Sequence, residues 1–341
     1  MGSLSWLFDR FDERADGEAV VWSDTTTDYR GLRERVTRAR DQLERNSVQP
    51  GEIVMLDADF SPASIAMLLA VIDHGLVVVP VAAHVTADRA RLAAIAQVGR
   101  FIRVDASDEY EFRTFGHEVT HELLRRLRAT GGPGLVLFSS GSTGEPKAAL
   151  HELEFLLRKY QVTRHTQRIL TFLLFDHIGG FNTLFYSLSN HGCAITLPAR
   201  DPETVCRTIA RYRAELLPTS PTFLRMMLMS GAHRRHDLSS LKVISYGTEV
   251  MPESTLRRLH EDFPGVDLRQ SYGLSELGIL RARSRSSDSL WVKVGGEDYE
   301  TRVVNGQFQI KARSSRLGYL NAPSPFTEDG WFDTQDEVDV D

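Results

Sequence analysis

Apolar runs of four or five residues, bounded by turn formers, alternate along this chain with stretches of helical spacing. Residues 19–22 (Ala-Val-Val-Trp) read as a strand, and 25–29 as a turn and a second strand. Leu32, Val36, Ala39 and Leu43 recur at helical spacing across 30–44. Pro50-Gly51 breaks that pattern, 53–56 is a buried strand, 64–74 a helix closed by Gly75, and 76–80 another strand. Residues 117–128 predict an amphipathic helix burying Val119, Leu123, Leu124 and Leu127. Strands at 134–138, 168–175, 194–197, 215–217 and 242–246 then alternate with helical patterns at 152–163, up to Asn190, 202–213, 223–228 and 252–263. Pro218-Thr219-Ser220-Pro221 reads as a rigid turn. This alternation predicts a doubly wound α/β fold. From Ile279 the texture changes: 291–294, 299–304 and 307–311 are short strands, and Asn305-Gly306 is a hairpin turn.

Composition narrows the class. With 42% hydrophobic and 25% charged residues over 341 positions, the chain has ample material for a core. A net charge of −6 argues against a general nucleic-acid binder. Two cysteines, Cys193 and Cys206, fit core thiols in a reducing cytoplasm. No apolar run reaches the length of a membrane span.

The candidate chemistry centres on 138–147, Phe-Ser-Ser-Gly-Ser-Thr-Gly-Glu-Pro-Lys. A buried strand empties here into hydroxyl residues and glycines, closed by a proline and a lysine. Gly141 and Gly144 let backbone N–H groups approach an anion. Ser139, Ser140, Ser142 and Thr143 add hydroxyl donors, and Lys147 a positive charge, so the string suits phosphate. It is not the Gly-x-x-x-x-Gly-Lys-Ser/Thr pattern. Downstream lie Asp176-His177-Ile178-Gly179-Gly180 at a strand end, Gly247-Thr248-Glu249 at another, and Gln270-Ser271-Tyr272-Gly273-Leu274-Ser275-Glu276. Open α/β sheets place ligands at such carboxyl ends. The last string is Asp329-Gly330-Trp331-Phe332-Asp333-Thr334-Gln335-Asp336.

The loop at 138–147 resembles the phosphate loop of the adenylate-forming superfamily: acyl-CoA synthetases, peptide-synthetase adenylation domains and firefly luciferase. Tyr272–Glu276 is similar to that superfamily's Tyr-Gly-x-Thr-Glu, with Ser275 for Thr. Asp329–Asp336 is similar to Asp-Gly-Trp-Phe-x-Thr-Gly-Asp, with Gln335 for Gly. The resemblance implies a large N-terminal domain of two doubly wound αβ subdomains plus a small distorted β-barrel. The boundaries follow as 1–130 for part of the first subdomain, 131–278 for the phosphate loop and second subdomain, and 279–341 for the barrel and ribose-binding end. The superfamily's small C-terminal domain, which supplies a further lysine, is missing from this sequence; a truncated chain is the expectation, with slow adenylate formation on its own.

The resemblance further implies a cytoplasmic, AMP-forming acid–thiol ligase. A carboxylic acid and ATP give an acyl-adenylate and pyrophosphate; CoA or a carrier protein's phosphopantetheine then displaces AMP. Lys147 and the loop would hold pyrophosphate, Glu276 would hold Mg²⁺, and Ser275 would bond the α-phosphate. Tyr272 and Thr248 would bracket adenine beside Gly247, Glu249, Gln270, Ser271 and Gly273, and Asp336 would take the ribose. His177, Gly179, Ser220 and Gly247 would line the acid pocket, with Gly179 and Gly180 leaving room for a bulky acyl group. Two alternatives stay open. One is a homologue that performs a single half-reaction, motivated by Gln335. The other is a zinc hydrolase, because His117-Glu118-Val119-Thr120-His121 would set two imidazoles on one helix face.

Overall fold

A computed structural model describes residues 2–83, 88–140, 145–296, 299–312 and 318–340. In chain order it begins with α1 (Ser5–Glu13), β1 (Glu18–Trp22), β2 (Thr25–Asp28), α2 (Tyr29–Arg45), β3 (Ile53–Asp57), α3 (Pro62–Asp73), β4 (Val77–Val81), α4 (Arg89–Ala96), β5 (Arg100–Val104) and β6 (Tyr110–Thr114). The middle runs α5 (Glu122–Thr130), β7 (Gly134–Ser140), β8 (Pro146–Glu152), α6 (Leu153–Arg158), β9 (Arg168–Leu170), α7 (Ile178–Ser189), β10 (Cys193–Ile195), α8 (Pro202–Tyr212), β11 (Leu216–Thr219), α9 (Pro221–Ser230), β12 (Val243–Tyr246), α10 (Glu253–Asp262) and β13 (Asp267–Gln270). The end is all-β: β14 (Gly273–Leu274), β15 (Gly278–Ile279), β16 (Arg281–Ser284), β17 (Val292–Gly295), β18 (Tyr299–Val304), β19 (Gln307–Ala312), β20 (Gly318–Tyr319) and β21 (Phe332–Glu337).

Local chemistry starts several helices alike. Ser61 and Ser64 form a reciprocal capping box on α3. Asp201 and Ser220 accept backbone N–H bonds at the starts of α8 and α9, and all three helices carry proline just inside the cap. Asn305 and Gly306 have φ of 54° and 79°, the two left-handed residues that a tight hairpin between β18 and β19 requires.

Among the described residues the strands form two large sheets, β20-β8-β7-β4-β3-β5-β6 and β13-β12-β11-β9-β10-β1-β2. One apolar cluster joins Val54, Leu56, Val78 and Leu135 of the first sheet, Val20 and Ala194 of the second, and residues of α1, α2, α3 and α7. Those helices therefore lie between the sheets. A second cluster packs α8, α9 and α10 on the second sheet, and a third packs α4 and α5 on the first. The fold is the two-sheet α/β class expected, with an all-β end. The sheets do not follow a division at residue 130: β1 and β2 pair into the second sheet, and β7 and β8 into the first.

Three expected elements differ. The helix drawn over 117–128 starts only at Glu122. Gln97 Oε1 accepts the backbone N–H of Thr120 at 2.7 Å and of His121 at 3.0 Å, which pins the preceding segment outside the helix. The strand at 168–175 stops at Leu170. Pro218 and Thr219 belong to β11, and the turn is the Ser220 cap alone.

Candidate active site

Three parallel strands bring much of the candidate site to one edge. Thr219, Tyr246 and Gln270 are register partners at the carboxyl ends of β11, β12 and β13. Ser220, Gly247 and Ser271 therefore emerge side by side, where parallel sheets bind ligands. The Ser271 N–H donates to Tyr246 O at 2.7 Å, and its hydroxyl donates to the same oxygen at 3.0 Å. That contact forces glycine at 247, because a Cβ there would lie 2.5 Å from Ser271 Oγ. Ser220 Oγ accepts the Phe223 N–H at 3.3 Å, and the Glu249 carboxylate accepts the Thr222 N–H at 3.2 Å. Both thus serve the start of α9. Gln270 donates its N–H to Ser284 Oγ at 3.0 Å.

Next comes a hairpin, β14 paired with β15, with Ser275, Glu276 and Leu277 at its tip. The Tyr272 hydroxyl donates to Asp336 Oδ2 at 2.5 Å, joining two motifs that lie far apart in sequence. Burial first, and the Asp336 carboxylate second, push the Tyr272 phenol well above its ordinary range. Glu276 Oε1 accepts the hydroxyl of Tyr319, and Lys147 Nζ lies 5.5 Å from the centre of the Tyr319 ring. Lys147, Tyr319 and Glu276 thus form one polar cluster. Ser139 and Lys147 are register partners on β7 and β8, one pair before Ser140 and Pro146 end the ladder. Gly141, Ser142, Thr143 and Gly144 lie outside the described residues, as does the side chain of Ser140.

Asp336 sits on a bulge. Gln309 pairs with Asp333 and Gln307 with Glu337, so three residues of β21 face Phe308 alone. Thr334 Oγ1 bonds Phe308 O at 2.8 Å and accepts the Asp336 N–H at 3.1 Å, which fixes the bulge. Gln335 is left-handed at φ 61° and Thr248 at φ 71°. Such backbone costs a side-chain-bearing residue about 1–2 kcal/mol, and strain of this kind gathers at functional sites.

His177 caps α7: its Nδ1 accepts the Gly179 N–H at 2.9 Å, and burial lowers its imidazole pKa. Against the expectation that the two glycines after it leave room for a bulky acyl group, the space their missing side chains would occupy is already filled. A Cβ on Gly180 would lie 1.9 Å from Leu174 O, and one on Gly179 would lie 2.4 Å from Leu173 Cδ1. The space is filled by the irregular segment after β9. Asp176 in that segment accepts the Ala82 N–H at 3.1 Å, tying it to the end of β4.

Two residues missed in the sequence complete the surroundings. Tyr319 has been described; His151, 3% exposed on β8, donates from Nε2 to Ser275 O at 2.5 Å. Had 146–152 been read as a strand, the two-residue alternation from Lys147 would have marked His151 as sharing its face. Burial pushes the His151 imidazole down to about 4. The unfolded ring takes a proton near 6.5, so the unfolded state binds more protons between the two values and stability falls as pH drops through that window. The loss is expected to reach roughly 3 kcal/mol. Urea denaturation between pH 4 and 7 checks it, since His151→Gln should flatten that part of the profile.

The zinc arrangement does not form. His121 is the cap of α5, with Nδ1 accepting the Leu123 N–H at 3.2 Å, and His117 stacks on Phe115 before the helix begins. Among the described residues no group of three His, Cys, Asp or Glu side chains is placed to hold a metal. A lone carboxylate such as Glu276 suits Mg²⁺, which takes one or two carboxylates and shares the oxygens of substrate phosphates. No helix among the described residues is long and apolar enough to cross a membrane.

The family described as AMP-binding enzyme matches residues 7–99 and 130–304. Indoleacetate–CoA ligase of Aromatoleum aromaticum is 29% identical over 230 residues, covering 60% of this chain and 44% of that protein. Bacitracin synthase 2 of Bacillus licheniformis is 24% identical over 310 residues, 82% of this chain and 12% of the synthase. The chain therefore spans less than half the length of these curated relatives. In fold it is similar to the anthranilate CoA ligase AuaEII in complex with anthranoyl-AMP, with TM-score 0.83, 17% identity, and coverage of 100% of this chain and 75% of that one. The Klebsiella oxytoca NpsA N-terminal subdomain, at 18% identity and TM-score 0.77, is covered over 96% of its length by 98% of this chain. The family match covers most strands of the two large sheets and the hairpin that carries Ser275 and Glu276, and this chain belongs to the AMP-binding enzymes, the adenylate-forming superfamily.

Proposed function

We propose that the chain activates a carboxylic acid with ATP and passes the acyl group to a thiol, as an acyl-CoA or acyl-carrier ligase. The observation that carries this reading is the Tyr272–Asp336 bond beside the Lys147–Tyr319–Glu276 cluster. It sets an aromatic ring next to a carboxylate suited to two ribose hydroxyls, with a lysine and a second carboxylate across the hairpin tip. A carboxylate oxygen attacks the α-phosphorus, the bond to the bridging oxygen breaks, and pyrophosphate leaves with the electron pair. A thiolate sulfur then attacks the acyl carbon and AMP departs.

Such transfer depends on positioning and charge neutralisation. Lys147, with Ser139, Ser140 and the loop 141–144, holds the departing pyrophosphate. Ser275 bonds the α-phosphate, Tyr272 and Thr248 border adenine, and Asp336 holds the ribose. Glu276 supplies the protein oxygen for Mg²⁺, which when bound neutralises phosphate charge. The acid lies toward His177, Ser220 and Gly247. ATP–pyrophosphate exchange across a panel of acids tests the reading, with Lys147→Ala as control. Exchange with one acid, lost in the control, supports it; exchange unaffected by Lys147→Ala overturns these assignments. Thioester formed with free CoA, or only with a loaded carrier protein, names the acceptor.

Gln335 favours a second reading, in which the protein receives its adenylate ready-made. Its left-handed backbone suits the glycine of the family pattern. Tight binding of a non-hydrolysable acyl-adenylate mimic without exchange for any acid marks that case. Gln335→Gly is expected to stabilise the fold by about 0.5–1 kcal/mol in urea denaturation. If crowding by Gln335 suppresses adenylation, the same variant gains exchange activity.

A further inference from the structure

The hairpin that carries Ser275 and Glu276 is too short to hold its own shape. Only Gly273–Ile279 and Leu274–Gly278 pair, and isolated two-stranded ribbons are marginal in water even when longer. Its order must come from outside. On β8, Lys147, Ala149 and His151 share one face by strand alternation. Tyr319 of β20 is the register partner of Ala149, so its ring stands between the lysine and the imidazole. From this face two consecutive tip residues are held: Ser275 by its carbonyl to His151 Nε2, and Glu276 by its side chain to the Tyr319 hydroxyl. The returning leg is held from the same stretch of chain. Lys159 Nζ donates to Ile279 O at 3.0 Å and to Asn182 Oδ1 at 2.8 Å, and Asn182 Oδ1 also accepts the Tyr160 hydroxyl at 2.8 Å.

We propose that His151 is a positioning residue for the adenylation reaction: a buried imidazole that fixes the Ser275–Glu276 tip relative to Lys147 on the same strand. A carbonyl oxygen only accepts, so His151 must carry its proton on Nε2. Ser275 O is the acceptor that the structure gives that proton. β8 is thereby a ruler. It carries the lysine at one end and, four residues on, the donor that locates the hydroxyl and carboxylate working opposite that lysine.

The catalytic part of this proposal rests on the adenylation reading above; the structural part does not. The experiment compares the full-length protein with His151→Gln, whose amide nitrogen reaches the Nε2 position, and His151→Leu, which offers no donor. Amide hydrogen exchange over 272–279 in nucleotide-free protein is expected to rise about 10-fold in the leucine variant and to stay near wild type in the glutamine variant. With the preferred acid, kcat for pyrophosphate exchange is expected to fall roughly 10- to 100-fold in His151→Leu with KM for the acid unchanged, and His151→Gln to recover most of it. Unchanged hairpin exchange in the leucine variant overturns the proposal. So does a rate loss that glutamine fails to rescue while the glutamine variant stays folded. If wild type exchanges pyrophosphate with no acid, the adenylation reading falls, and amide exchange alone decides whether His151 orders the tip. If His151→Leu does not fold, His151→Asn, whose amide falls short of Ser275 O, replaces it with the same expected outcomes.

Discussion

Replacing Glu276 with alanine or glutamine is expected to cut ATP–pyrophosphate exchange by roughly 100- to 1,000-fold, the usual cost of removing one group that stabilises developing phosphate charge. The pair of variants separates two roles. Glu276 Oε1 accepts the Tyr319 hydroxyl, and glutamine can keep that bond while losing the negative charge. If the carboxylate works by drawing Mg²⁺ to the phosphates, both variants fall together, and raising Mg²⁺ restores part of the glutamine variant's rate. If it works only by anchoring Tyr319, glutamine stays close to wild type and the metal assignment is wrong. The effect on folding is expected to be small, because the hairpin tip is also held through Ser275 O and Ile279 O.

Gly180→Ala is expected to have the largest effect on stability, about 3 kcal/mol or more in urea denaturation, as for severe overpacking. The added Cβ would meet backbone on two sides, 1.9 Å from Leu174 O and 2.9 Å from Leu173 O. A flexible side chain could swing away; the Leu174 carbonyl accepts the His177 N–H at 3.1 Å and cannot move without disturbing the cap of α7. Asp176 and the His177 cap would be dragged along, so the variant should also lose affinity for the acid. Gly99→Ala is the control, since its nearest neighbour is Glu52 Oε2 at 3.6 Å, ordinary contact. A Gly180→Ala protein within about 0.5 kcal/mol of wild type, the range of a neutral surface change, refutes the packing described here.

Much of the fold was legible because local signals agreed with tertiary need. Ile53–Asp57 and Val77–Val81 are buried on both faces, and their unbroken apolar runs said so. The three motif strings were legible as strings, but their assembly was not. Nothing local links Tyr272 to Asp336 across more than sixty positions, and β8 does not read as a strand, since it opens on the Pro146 and Lys147 that close the loop string. The Gly179-Gly180 pair read as open space, whereas glycine there marks the close passage of another backbone. The segment at 117–121 had helical spacing, yet Gln97 from another part of the chain claimed its N–H groups. In each case a long-range partner outweighed the local pattern.

The placement of β1 and β2 has a kinetic consequence. Val20 pairs with Ala194 and Val21 with Ile195, while β7 and β8 lie in the other sheet. The N-terminal hairpin therefore waits through the synthesis of more than 160 residues before its sheet neighbour exists. Closing so long a loop is slow, and the waiting strands are unpaired edges open to wrong partners. A ribosome-bound chain released short of β10 should need a chaperone. Splitting the protein near residue 131 should give halves that fold only when mixed, because the break leaves β1 and β2 in one piece and the rest of their sheet in the other.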